Sequence, residues 1–349
     1  MIRLKPEVAA LATTDLDGLR VALQTAIELE HATLPPYLYA LYSIKPGANQ
    51  RVGGILKSIV LQEMLHLALC CNVLNAIGGR PVLNRPGFIP GYPGPLPGGV
   101  ESGLKVPLAP LSKLLVHDVF MVIEEPETPL EFPVLGALAA AVAPPLTIGQ
   151  FYKLIKRKIA MLSAAGDIFT GDPARQLSVG LPGLRAVTDA RSAAQAIDLI
   201  VVQGEGTTTS PLDAAHEPAH ELAHEPAHYY RFAEIYNGRM LVPRDGHTPA
   251  YAYAGDPVPF ADDGVWPVVA NPTPEAYAGT PAAVLNDRFN YTYTSLLNSL
   301  HRTFNGEPAA IGAAIGLMES AKQQALAMMS TEFAPGRTSG PTFTYRPVE

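Results

Sequence analysis

Residues 61–69 read Leu61-Gln62-Glu63-Met64-Leu65-His66-Leu67-Ala68-Leu69, and around Glu63 and His66 the residues Leu61, Met64, Leu65, Leu67, Ala68 and Leu69 are all apolar. The periodic segment runs from about Gly54 to Ala76 and stops at Gly78-Gly79, a good C-terminal signal for a helix. A helix that is hydrophobic nearly all round belongs in a core. A carboxylate and an imidazole carried into a core must be paired or bind a metal, because burying an unpartnered carboxylate is very costly. Residues three apart sit about 60° apart around a helix, close enough to ligate one ion. Taken alone, Glu-x-x-His recurs often by chance, usually as a surface carboxylate beside a satisfied histidine. Its apolar neighbours make this copy different.

Working outward, helical periodicity dominates and strand-like alternation is scarce, so the chain reads as all-α. Asp15 or Asp17 can cap a helix from Leu19 through Thr33, with Leu19, Leu23, Ile27 and Leu34 on one stripe. Pro35-Pro36 should interrupt it, and the pattern resumes over Tyr37–Tyr42, which predicts one bent helix or two nearly coaxial ones. A Pro/Gly-rich crossing follows from Pro81 to Pro110, then short helical pieces at Asp118–Glu125 and Thr147–Ala165. A third strong helix covers Asp189 to about Gln203, and a fourth includes His228–Tyr236 and ends at Asn237-Gly238. Residues 243–284 form another Pro-rich loop, and two last helices cover about Ala283–Phe304 and Pro308–Phe333. The expected division is a metal-binding bundle over 1–240, with 241–349 a Pro-rich loop and helical pair packed on the same body.

The first helix offers Glu30, the third ends with Gln203-Gly-Glu205-Gly, and the fourth opens with Glu225-Pro-Ala-His228. In chain order these give Glu30, then Glu63 with His66, then Glu205, then Glu225 with His228. That is the ligand order of carboxylate-bridged di-iron and di-manganese bundles. Carboxylates with one imidazole per metal suit Fe or Mn, and the lack of thiolates argues against structural zinc. Glu28 lies about 160° from Glu30 around the helix, so both cannot face one metal, and it reads as a solvent-facing charge. His31 reads as an outer or surface group. Tyr37, Tyr229 and Tyr230 flank the site, Arg231 suits a substrate carboxylate or a ligand glutamate, and Cys70 and Cys71 read as small buried residues.

Residues 216–228 read His-Glu-Pro-Ala-His-Glu-Leu-Ala-His-Glu-Pro-Ala-His, so the five residues from His216 recur from His224. His-Glu-x-x-His occurs three times over, which suggests a zinc peptidase, but that motif needs a continuous helix. Pro218 and Pro226 interrupt two copies, and only His220-Glu-Leu-Ala-His224 is free of proline. The duplication leaves two registers for the fourth-helix pair, Glu221 with His224 or Glu225 with His228, four residues apart and facing nearly the same side. On the residues alone both registers stay open. His216, His220 and His224 otherwise read as a polar insertion.

Four pieces of sequence carry a family resemblance: Glu30-His-Ala-Thr-Leu-Pro-Pro-Tyr-Leu38, Glu63-Met-Leu-His66 with Asn72 and Gly78-Gly79, Gln203-Gly-Glu-Gly206, and His228-Tyr-Tyr-Arg-Phe232. Together they resemble the ferritin-like domain of the iminophenyl-pyruvate dimer synthase type, found in the chromopyrrolate-synthase-like proteins of violacein and rebeccamycin biosynthesis. The motifs span about residues 20–240. The resemblance implies a ferritin-like bundle and a role in small-molecule oxidation, and because Tyr229-Tyr-Arg-Phe is part of it, it favours Glu225 with His228. Joined to the helix and loop pattern, it makes the expected fold a ferritin-like four-helix bundle with long Pro/Gly-rich loops and additional C-terminal helices.

Composition narrows the function further. Of 349 residues only 16% are charged, against roughly 25% in a typical domain, and 48% are apolar. A net charge of -7 offers no basic face for a nucleic acid. Two adjacent cysteines build no disulfide framework. Met1-Ile-Arg-Leu-Lys-Pro6 has no signal-like apolar stretch, and no unbroken apolar run nears the ~18 residues of a membrane span. The expectation is a cytoplasmic O2-dependent oxidoreductase with two Fe ions, Mn or a mixed pair being alternatives. It would act on a small-molecule substrate derived from an amino acid, without nucleic-acid or membrane partners, alone or as a homo-oligomer. The competing readings are a non-catalytic metal-binding, storage or biosynthetic partner protein, and the zinc peptidase.

Overall fold

A computed structural model describes residues 10, 14–98, 104–126, 129–130, 147–207, 210–212, 225–244 and 250–347. Its first long helix, α1 (Leu16–Tyr42), begins where the Asp15 side chain accepts from Gly18 N at 2.8 Å, filling one of the amides a helix start leaves open. Pro35 and Pro36 lie inside this helix without ending it, so of the two expected alternatives the single helix is found. Part of the reason is local. Pro36 cannot donate to the Ala32 carbonyl four residues back, and the Tyr92 hydroxyl, from the Pro/Gly-rich crossing, donates to it instead at 2.7 Å.

The second helix, α2 (Gln50–Ala76), runs antiparallel to α1: Arg20, near the start of α1, donates to the Ile77 carbonyl at the end of α2. Gly78 then takes φ +73, and the Gly79 amide closes on Leu74 O at 2.9 Å, a backbone turn that glycine adopts without strain. By length and composition α2 could cross a membrane, but 67% of its most apolar window is buried inside the protein, as befits a core helix.

A composite helix, α3, joins Lys113–Leu115, a π-helical turn Val116–Phe120 and Met121–Ile123, ending at Glu124. Next come α4 (Ile148–Ala165) and α5 (Ala190–Glu205), each opened by a reciprocal side-chain cap, Thr147 with Gln150 and Asp189 with Ser192. The helix α6 (His228–Asn237) ends at Gly238 with φ +73. α4 and α5 pack on each other and on α1 and α2, while α6 contacts α2, α3 and α5.

The stretch read as a Pro-rich loop holds part of an antiparallel hairpin, β1 (Arg239–Pro243) with β2 (Tyr251–Pro257). The helices α7 (Pro281–Thr303) and α8 (Ile311–Met329) follow, then two very short paired strands, β3 (Glu332–Ala334) and β4 (Arg337–Thr338). One hydrophobic core takes in residues from Leu19 on α1 to Phe343 near the end of the chain. Tyr39 donates to Val269 O at 2.5 Å, which ties α1 to the segment between β2 and α7. The architecture is that of a helical bundle with short strands at its margin.

Candidate metal centre

Two groups of acidic and histidine side chains meet between these helices. Glu30 from α1 joins Glu63 and His66 from α2, and Glu63 also joins Glu124 from the end of α3 and His228 from the start of α6. Within each group the ligand atoms lie within 4.8 Å of one another. Glu63 belongs to both. Its Oε1 lies 2.9 Å from His228 Nδ1 and 3.9 Å from His66 Nδ1. Glu30 Oε2 stands 3.5 Å from His66 Nδ1, and Glu124 Oε2 stands 3.6 Å from His228 Nδ1. Glu30, Glu63, His66 and His228 are buried, and the Glu124 side chain is only 10% exposed.

Each carboxylate has one oxygen held by a hydroxyl and the other turned to a histidine. Tyr152 of α4 donates to Glu30 Oε1, Thr33 to Glu63 Oε2 at 2.8 Å, and Tyr37 to Glu124 Oε1 at 2.5 Å. Both histidines turn Nδ1 inward. Their Nε2 atoms rest on glutamine carbonyls: His66 on Gln203 Oε1 and His228 on Gln62 Oε1, each at 2.9 Å. Such outer partners fix the ring orientation of metal-ligating histidines. The electrostatics fit the crowding. Burial first, then the charges of Glu124 and Glu30, push the Glu63 carboxyl well above the usual carboxylate range, against the pull of His66 and Thr33. Burial pulls the His66 imidazole down, but the hydrogen bond and charge of Glu30, with the charge of Glu63, outweigh it and leave it raised.

A model of the family described as Ferritin-like matches residues 23–237, which span every residue of both groups. The chain belongs to the ferritin-like family. A crystal structure of a ferritin-like protein from Caulobacter vibrioides superposes with a TM-score of 0.61 at 25% identity, covering 95% of this chain and 99% of that one. The dichlorochromopyrrolate synthase of Lentzea aerocolonigenes is 24% identical over 92% of this chain. This ferritin-like chain spans 35% of the length of that curated relative.

Of the six residues read from the sequence, the ferritin-like core brings four together: Glu30, Glu63, His66 and His228. Glu205 ends α5 and lines the same cavity, but its Oε1 accepts from Gly149 N at the start of α4 at 2.8 Å, and it belongs to neither group. Glu225 stands apart. Residues 225–227 lie outside the helix, which begins at His228 after Pro226 and an extended Ala227, so the helical three-residue spacing never forms. Its carboxylate, 45% exposed, pairs with Arg231 at 2.9 Å. Glu28 pairs with Arg85 at 2.7 Å. His31 is buried rather than on the surface, with Nε2 2.9 Å from the Tyr293 hydroxyl, and burial pushes its imidazole down to about 3. The duplicated His216, His220, Glu221 and His224 lie outside the described residues.

Glu124 stands in the acidic cluster where the sequence reading expected a glutamate of the third or fourth helix. The one signal for it was a carboxylate directly after apolar Phe120 and Ile123. The π-helical turn before it shifts the register, so an α-helical wheel misplaces it. Gln62 and Tyr152 carry no motif of their own, and nothing in the sequence gives Gln203 or Thr33 the hydrogen-bonding role that the fold shows.

The donor set is three carboxylates and two imidazoles, with no thiolate in either group. Among the described residues no Lys or Arg pairs with Glu30 or Glu63, and His228 Nδ1 is buried with no hydrogen-bond partner there. Such buried acidic groups and inward-turned imidazoles suit hard divalent cations: Glu30, Glu63 and His66 could hold one, and Glu63, Glu124 and His228 could hold one.

Proposed function

We propose that this chain is a non-haem di-metal oxidoreductase, with two iron ions (or manganese, or one of each), that uses O2 on a small amino-acid-derived molecule of secondary metabolism. The observation that carries the reading is the sharing of Glu63 by two buried groups with one histidine each. Bound there, an iron pair supplies electrons for O2 chemistry that no amino-acid side chain provides.

The protein's own residues shape the surroundings. Leu29, Leu96, Ile123, Ile148, Ile200 and Val201 give the cavity beside the carboxylates apolar walls that limit water. Its volume of about 40 Å³ exceeds the roughly 10–15 Å³ needed to hold one water, so it admits a molecule the size of O2 next to the carboxylates. Glu205 and Gly149 give one wall a polar edge. Likeness to a chromopyrrolate synthase along most of the chain supports secondary metabolism and an oxidative reaction, and leaves the substrate open.

The test loads the metal-free protein with Fe(II) under anaerobic conditions, admits O2, and follows oxygen uptake with and without candidate amino acids and 2-oxo acids. Substrate-stimulated uptake, absent in Glu63→Ala, is the expected result. Uptake no greater than that of free Fe(II), iron accumulating far beyond two per chain, or one tightly held zinc that survives Glu30→Ala would overturn it.

A further inference from the structure

Arg231 is almost completely buried one turn beyond His228, on the side of that ring away from the carboxylates. Its Nη1 donates to Gln62 Oε1 at 3.1 Å, and the same oxygen lies 2.9 Å from His228 Nε2. The amide oxygen and nitrogen of a glutamine have nearly the same shape, so their placement follows from their neighbours. A guanidinium can only donate. The Gln62 atom facing Arg231 is therefore the carbonyl oxygen, which can only accept. It follows that His228 Nε2 must carry a hydrogen and donate it. A neutral imidazole has one N–H, so Nδ1 is left with a bare lone pair. That lone pair lies 2.9 Å from Glu63 Oε1 and 3.6 Å from Glu124 Oε2, with no hydrogen-bond partner of its own.

We propose that Gln62 and Arg231 are positioning residues that hold His228 in the tautomer with Nδ1 open, aimed at the cation position it shares with Glu63 and Glu124. Arg231 is held in turn by Glu225, 2.9 Å from Nη1, and by the Ser58 hydroxyl. Glu225 thus acts on the centre through three successive contacts, Arg231, Gln62 and His228, rather than as a ligand. Among the described residues His66 rests on Gln203 without an arginine behind it, so there the arginine-backed arrangement marks the His228 position alone. The purpose of the open Nδ1 rests on the two-metal reading; the tautomer itself is a property of the metal-free chain.

Two measurements test this. The first is long-range ¹H–¹⁵N NMR of the metal-free full chain with ¹⁵N-histidine, recorded at alkaline pH. Wild type should show His228 with Nε2 protonated and Nδ1 bare, as one tautomer. In Gln62→Leu and Arg231→Met the proton should redistribute towards Nδ1, where Glu63 can accept it. Gln62→Glu, which accepts from both His228 and Arg231, should restore the wild-type pattern. Should Gln62→Leu not fold, Arg231→Met carries the test alone, since a lysine there would still donate to Gln62 Oε1. The second is Co(II) titration. Gln62→Leu should weaken one of two sites by about 10–100-fold, leave the other unchanged, and recover in Gln62→Glu.

An Nδ1-protonated His228 in wild type, or an unchanged single Nε2 tautomer in both Gln62→Leu and Arg231→Met, would overturn the proposal. So would equal weakening of both cobalt sites. A wild-type tautomer pattern that behaves as expected in a chain binding no cobalt would uphold the hydrogen-bond arrangement and refute the two-metal reading.

Discussion

Thr33 donates its hydroxyl to Glu63 Oε2 at 2.8 Å, so the oxygen left to face both histidines is Oε1. This one contact orients the shared carboxylate. It also works against the burial and neighbouring charge that raise the Glu63 carboxyl.

Thr33→Val keeps the shape of the side chain and removes the donor. The Glu63 carboxyl should then rise further, since hydrogen bonding to the charged form favours that form. A cation and a proton compete for the carboxylate, so metal uptake should begin at higher pH in the variant than in wild type. Mn(II) or Co(II) uptake measured across a pH series checks this, and Thr33→Ser should restore the wild-type midpoint. An unchanged midpoint in Thr33→Val would contradict the role given to this hydroxyl.

Glu234, on α6, is buried, and its Oε1 accepts from Leu241 N at 2.8 Å. Burial pushes its carboxyl up to about 7, against the pull of that amide and of Arg231 and Arg51. Between the ordinary carboxylate value, about 4.3, and about 7 the folded chain holds a proton that the unfolded chain has released. The contribution of Glu234 is therefore fully present below that window, declines as pH rises through it by at most about 1.4 kcal/mol per pH unit, and is flat above. Glu234→Gln keeps an acceptor for Leu241 and removes the titration. Urea midpoints should show the variant gaining on wild type as pH rises from 5 to about 7. Parallel curves would refute the assignment.

Two glycines separate a rigid close approach from a yielding one. A Cβ on Gly171 would sit 1.7 Å from the Asn75 carbonyl oxygen, which belongs to the backbone of α2. A Cβ on Gly149 would sit 2.2 Å from Glu205 Oε2, the end of a flexible side chain. Gly171→Ala is expected to destabilise by about 3 kcal/mol or more, because backbone must move. Gly149→Ala is expected to lose about 1 kcal/mol, near the value of the hydrogen bond to Glu205. Chemical denaturation of the pair decides it; equal losses would mean that the end of α2 gives way more easily than its packing indicates.

Much of the bundle could be read from the chain because the signals were local. Thr147 and Asp189 announced helix starts, Gly78 and Gly238 helix ends, and the apolar surroundings of Glu63 and His66 announced burial. What stayed hidden was made by distant contacts or by a change of period. α1 survives two prolines partly because Tyr92, more than fifty residues on, supplies a hydrogen bond that Pro36 cannot. Glu124 follows a π-helical turn that breaks the 3.6-residue register. Glu225 has the spacing of a ligand pair with His228, but the helix starts only after Pro226, and spacing implies a shared face only within a helix. Gln62 carries no signal in the sequence, since only the fold brings Arg231 and His228 to its carbonyl.

The most direct test of the centre is the number of metal ions per chain, by elemental analysis after equilibration with Mn(II) or Fe(II) under anaerobic conditions. The expected values are two for wild type, close to none for Glu63→Ala, one for Glu124→Ala and two for Glu225→Ala. A Glu124→Ala protein that keeps both ions while Glu225→Ala loses one, or a Glu63→Ala protein that keeps any tightly bound ion, would contradict a pair of cations bridged by Glu63.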